Sequence, residues 1–224
     1  MRHGINRKKA IIIKKIIMKR IFNVLIAIGT LAFTACNSND KSSKENDMSK
    51  MNADTTKMTK ADNPPTAEVI HSFNNVDPKL AASLKTIVNH YLHIKNALIN
   101  NSGGDAADGG KAMADAISKV DKSVLTAEQK KLYDGIEDDL KENAEHIGKN
   151  ANDIDHQREH FVMMSEDVYD LVKAFGGGQT LYHDHCPMAN EKKGAMWLSE
   201  TKEIKNPYFG GKMNECVKVM EVIR

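Results

Sequence analysis

The chain of 224 residues carries 32 Lys and Arg against 30 Asp and Glu, a formal charge of +2, and much of that small excess lies between Arg2 and Arg20. Aromatic residues make up 5% of it and do not alternate with basic ones, so no nucleic-acid partner is expected. No glycine-rich phosphate loop, nucleophile elbow or Ser/His/Asp set is present, and no enzymatic activity is expected either.

The basic run ends in an apolar one, Ile21 to Ala35, too short to cross a bilayer as a helix and closed by small residues before Cys36. This reads as a secretory leader, within which Met18-Lys19-Arg20 would itself make a normal start. Thr34-Ala35-Cys36 resembles a bacterial lipobox, which implies a thiol-lipidated Cys36 as the mature N-terminus and a membrane anchor. The alternative is ordinary cleavage near Ala35. By the same resemblance, Asn37 implies the outer membrane. Asn37 to Asn63 has almost no aliphatic content and cannot offset the entropy of ordering. The expected organisation is a leader and lipidated cysteine at 1–36, a disordered tether at 37–72 and one domain at 73–224.

Asp77-Pro78 is a helix start, and Leu80, Leu84, Ile87, Tyr91, Leu92, Leu98 and Ile99 give one apolar face as far as Asn100. A second, weaker helix from about Asp105 to Lys122 turns Ala107, Met113, Ala114, Ile117 and Val120 inward. Thr126 with Gln129 forms a capping box before a third, faced by Leu132, Tyr133, Ile136, Leu140, Ala144 and Ile147. Its acidic run, Glu128 to Glu145, reads as a solvated face. The fourth runs from about Asn152 to Phe175, with Ile154, Phe161, Met164, Val168, Leu171, Val172 and Phe175 inward, and stops at Gly176-Gly177-Gly178.

Beyond that point the period changes. Tyr182 to Cys216 holds the only two cysteines outside the leader and the only tryptophan. Thr180 to Cys186 reads as a short strand or extended loop and Met213 to Ile223 as a final helix. The expected fold is mainly α, a four-helix antiparallel bundle with an irregular Cys/Met/His-rich C-terminal cap. An extended segment would point Cys186 and Met188 one way and His183 and His185 the other. A helix from Lys212 would put Met213 and Cys216 on one face. Cys186, Met188, Met213 and Cys216 suit copper(I), with His185 or His183 completing the set if the chain turns at Pro187. The second reading is a Cys186–Cys216 disulfide, worth about 3–4 kcal/mol, in a metal-free interaction domain whose methionines are simply core.

His156-Gln157-Arg158-Glu159-His160 has the H-x-x-E-H order of inverted zinc peptidases, the glutamate serving as base. Those enzymes are much larger and need a further acidic ligand, so a zinc hydrolase using His156, Glu159 and His160 is the distant alternative. A milder expectation has His156 and His160 share a metal with His90 and His93 of the first helix. Exposed or capping histidines account for the same residues.

Gln157-Arg158 with Phe161, Leu181-Tyr182, Cys186-Pro187-Met188-Ala189, Gly194-Ala195, Trp197-Leu198-Ser199, Asn206-Pro207-Tyr208-Phe209-Gly210, Met213 and Cys216 resemble a family of uncharacterised periplasmic domains. The stretch from Tyr91-Leu92 to Lys95-Asn96-Ala97-Leu98 resembles its opening. Members occur as lipoproteins and fused to membrane-fusion subunits of copper/silver efflux pumps. The resemblance implies an envelope lipoprotein that binds or delivers a soft metal, with efflux-pump subunits as partners and Cys186, Met188, Met213 and Cys216 as ligands. Val217 departs from the glycine usual after that cysteine. Trp197, Tyr208 and Phe209 would be packing residues and Asn206-Pro207 a turn.

Overall fold

The computed structural model describes residues 67–224; the leader, Cys36 and the tether as far as residue 66 lie outside the described residues. Four consecutive helices pack on one another, α1 (Pro78–Ile99), α2 (Gly103–Ser118), α3 (Ala127–Lys149) and α4 (Ile154–Phe175). Short connections between them make sequence neighbours antiparallel. Among the described residues no helix is long and apolar enough to cross a membrane.

The helix ends are where local chemistry puts them. Asp77 accepts from the Lys79 N–H with Pro78 behind it, and Thr126 and Gln129 close both halves of the capping box. α2 begins at Gly103, two residues before the expected start, and takes in Gly109 and Gly110, both buried. A Cβ on Gly110 would lie 2.6 Å from the Ala144 carbonyl oxygen and 2.7 Å from the Gly148 nitrogen, so the close crossing of α2 and α3 requires glycine there. Gly110→Ala should therefore cost about 1–3 kcal/mol through overpacking against backbone, in spite of alanine's higher helix propensity. Gly104→Ala, with open space around it, should cost nothing; equal denaturation midpoints for the two variants would refute the tight crossing.

The chain then builds a sheet. Strands β1 (Ala67–Val69), β2 (Leu181–Cys186), β3 (Ala195–Ser199) and β4 (Lys218–Ile223) lie in the order β1-β4-β2-β3. β1 runs parallel to β4, and β2 is antiparallel to both its neighbours. The expected final helix is thus corrected to a strand, and the cap to a small mixed sheet with loops. Ala67–Val69, assigned to the tether from sequence, pair with Glu221 to Ile223. The β2–β4 register jumps between His183 and Asp184 and passes over Met220. Opposite this bulge in β4, the alternation of β2 leaves Asp184 and Cys186 buried and His183 and His185 partly exposed.

A line of aromatic rings joins bundle to sheet. Tyr91 stacks on Phe161 at 5.1 Å, Phe161 meets Tyr208 at 5.7 Å, and Tyr208 meets Trp197 edge-on at 5.8 Å. Tyr91 Oη accepts from the Leu198 N–H at 2.9 Å and bonds Ser165 Oγ at 2.9 Å, and Tyr208 donates to the Met196 carbonyl at 2.7 Å. Arg158 reaches the carbonyls of Leu98 and Pro207 and the Asn101 amide oxygen, tying the end of α1 to the turn at Pro207–Phe209. Gln157, fully buried, donates to the carbonyls of Gly103 and Ile147 and so holds two helix connections together. Lys95, also buried, spans from α1 to Glu200 at 2.5 Å and Ser199 at 3.3 Å. Tyr91, Lys95, Arg158, Phe161 and Tyr208 thus dock the cap on the bundle.

Candidate metal-binding sites

The thiols of Cys186 and Cys216, 30 positions apart in sequence, lie 3.2 Å apart and are unbonded. Cys186 ends β2 with its side chain buried; Cys216 is half-buried in the turn before β4. Each is positioned by a different device. Strand alternation after the bulge sends Cys186 inward. On the other side Cys216 Sγ donates to the Met213 carbonyl at 3.2 Å, in a turn tied to Asn206 by the Asn214 side chain. Met213 itself sits at φ 53°, a left-handed conformation that an unbranched non-glycine residue adopts only at a cost. Val217 packs into the core without a positive φ, so the β-branched residue is accommodated. The Cys186 thiol pushes the Cys216 thiol pKa up by hydrogen bonding and proximity.

The remaining sulfur and imidazole candidates are spread out. Met188 and Met213 are exposed at 39% and 41%. His183 is bound through Nδ1 to Glu221 at 3.1 Å and lies against Tyr169 at 4.7 Å. Burial holds its pKa down although Glu221 works the other way. His185 leans over Gly194, where a Cβ would meet its Nε2 at 2.9 Å. The structure brings together Cys186 and Cys216 and leaves the two histidines on the opposite side of β2.

A second cluster lies on the bundle. His146 of α3 and His156 and His160 of α4 each offer a ring nitrogen, and these three atoms lie within 4.8 Å of one another. Ring centroids are 4.2 Å apart for His146 and His160, 4.6 Å for His156 and His160, and 6.0 Å for His146 and His156. Burial lowers the His160 pKa first, and the neighbouring imidazoles lower it further, which favours the neutral ring. The expected sharing with His90 and His93 is corrected: His90 faces α2 across a groove of about 280 Å³ that also holds Ser83, Asp115 and Lys119, and His93 lies near Gly109 of α2. α1 turns Tyr91, not these histidines, toward α4. Glu159, the base of the hydrolase reading, accepts from His156 Nδ1 at 3.3 Å and is itself exposed.

The sequence carries a signal for His146 as well. A four-residue connection between two antiparallel helices brings the last turns of α3 opposite the first turns of α4, and a histidine three residues before the helix end falls beside His156 and His160.

Four packed helices followed by a small mixed sheet define a helical domain that carries a close pair of thiols and a histidine triad that could hold a metal ion. Residues 87–180 match the family model described as a protein of unknown function (DUF3347). The match runs from the middle of α1 to the glycine turn after α4, and the Cys-Pro-Met and Asn-Pro-Tyr-Phe-Gly motifs lie beyond it. The chain matches no curated protein and no solved structure.

Proposed function

We propose that this is an envelope lipoprotein, anchored through Cys36, that binds a thiophilic metal ion, copper(I), in its C-terminal cap and buffers it or passes it to an efflux system. It acts as a binding protein, not an enzyme. The observation that carries this reading is the 3.2 Å approach of two free thiols from separate segments. Two thiolates so placed form the start of the low-coordinate sulfur site that copper(I) prefers. Met213, held in a strained turn whose carbonyl already touches Cys216, and Met188, two residues past Cys186, are the thioethers nearest in sequence. Their exposure suits a site that must give its ion up. His183 and His185 are the weaker donors, being on the other side of the strand.

The same thiol pair supports one other reading, a Cys186–Cys216 disulfide stapling an interaction domain. An anaerobic copper(I) titration of the protein against a competing chelator, with cysteines reduced and again oxidised, separates the two. One tightly held equivalent in the reduced form, lost on oxidation and in Cys216→Ser with helical content unchanged, is the expected result. No competition in either form, together with a stability loss of about 3–4 kcal/mol on reduction, would replace the metal reading with the disulfide one.

A further inference from the structure

We infer that His146, His156 and His160 form a second and separate metal site, for a divalent ion of the zinc(II) or copper(II) class, on the α3–α4 face. The inference stands on the bundle alone and does not depend on what the thiols bind.

Three features support it. First, the three imidazoles come from two rigid helices, two of them one helical turn apart at 156 and 160, so the donor spacing is set by backbone and needs little ordering on binding. The three candidate ligand atoms already lie within 4.8 Å of one another. Imidazoles from three histidines, with a fourth position left to water, form a donor set that zinc accepts.

Second, two of the three rings have one nitrogen already occupied by an acceptor. His160 Nδ1 lies 2.9 Å from the Asn143 side-chain oxygen, which can only accept, so Nδ1 carries the proton and Nε2 keeps its lone pair. His156 Nδ1 donates in the same way to the Glu159 carboxylate at 3.3 Å. An acceptor on the far nitrogen fixes the tautomer and ring orientation and raises ligand basicity, which is the supporting arrangement of metal-bound histidine. Asn143 is itself 6% exposed, so this support is built into the helix packing.

Third, the surrounding charge favours a dication. Glu142 stands 4.0 Å from His146 Nε2, and Glu159 is one turn away along α4. Neutral nitrogen donors with nearby carboxylates favour a borderline divalent ion over copper(I), which the thiol pair would take. Two oxidation-state preferences on one chain would let it hold copper in either form.

The test is titration of the full-length, untagged protein with zinc(II) against a chromophoric chelator, and with copper(II) followed by electron paramagnetic resonance. One equivalent with nitrogen hyperfine structure from imidazoles is expected. His146→Gln and His156→Gln, each at a partly exposed position, should weaken binding by at least about 100-fold, and Asn143→Ala by about 10–100-fold. The Cys186→Ser/Cys216→Ser double variant should bind zinc and copper(II) as the parent does, so that loss of the thiol site and loss of this one are told apart. Unchanged affinity in both histidine variants, or affinity that follows the cysteines, would overturn the proposal.

Discussion

Trp197→Ala should lower the unfolding free energy by about 3–5 kcal/mol, the usual cost of emptying a large aromatic site in a core. Trp197 is 0% exposed and lies on β3 between the sheet and Tyr208, at the cap end of the line of rings that reaches Phe161 and Tyr91. The ring fills space that two separate elements border, so the site cannot collapse by the shift of one side chain. Loss should fall mainly on the cap, because the bundle keeps its own core of leucine, isoleucine and valine from all four helices. Denaturant unfolding followed by far-UV circular dichroism gives the size. A loss under about 1 kcal/mol would mean that the aromatic line does not couple sheet to bundle. Trp197→Phe, retaining a ring, should lose less.

Asp184→Asn should stabilise the protein at neutral pH and above, by an amount that shrinks as the pH is lowered. Asp184 is 1% exposed, faces Trp197 across the β2–β3 ladder, and has one side-chain oxygen with no protein partner. Burial pushes its carboxyl up to about 7 from an ordinary value of 3.8, against the opposing pull of the Lys95 ammonium. Below about pH 4 both folded and unfolded chains hold the proton. Between about 4 and about 7 only the folded chain holds it, so this residue's contribution to stability falls as the pH rises through that window. The full penalty, present above pH 7, is on the order of 4 kcal/mol. Asparagine has the same shape and does not titrate. The difference between variant and parent should therefore grow from pH 4 to pH 8, and two parallel pH–stability curves would show that Asp184 ionises freely in the fold.

The four helices could be read from the residue order because each carries a face repeated at three- and four-residue spacing and a start or stop signal of its own. Asp77-Pro78, Thr126 with Gln129, and the glycines after Phe175 act within one or two turns of chain. The cap could not be read this way. Lys218–Ile223 contains Val219, Val222 and Ile223, which suit a strand, yet Met213, Cys216, Val217 and Met220 also fall at helical spacing, and a short apolar run does not settle the period. β1 is only three residues long and becomes a strand by pairing with β4. Of the motif residues, Arg158 ties the loop to the bundle through the Pro207 carbonyl and Trp197 packs as expected, whereas Gln157 joins two helix connections and Asn206 holds the loop to itself through Asn214.

By itself the sequence determined the mainly helical class, the helix boundaries to within a few residues, an extended strand or loop around Tyr182, and, given that extended run, the placing of Cys186 and His185 on opposite sides of it. Those properties are local: caps, periodicity and strand alternation act between residues a few positions apart. Both readings of the sequence bring Cys186 to Cys216; only the tertiary structure decided that His156 and His160 find His146 instead of His90 or His93, and that the chain ends in a sheet. Each of these depends on which element packs beside which, a choice made by long-range burial and strand pairing that leaves no periodic mark in the residues concerned.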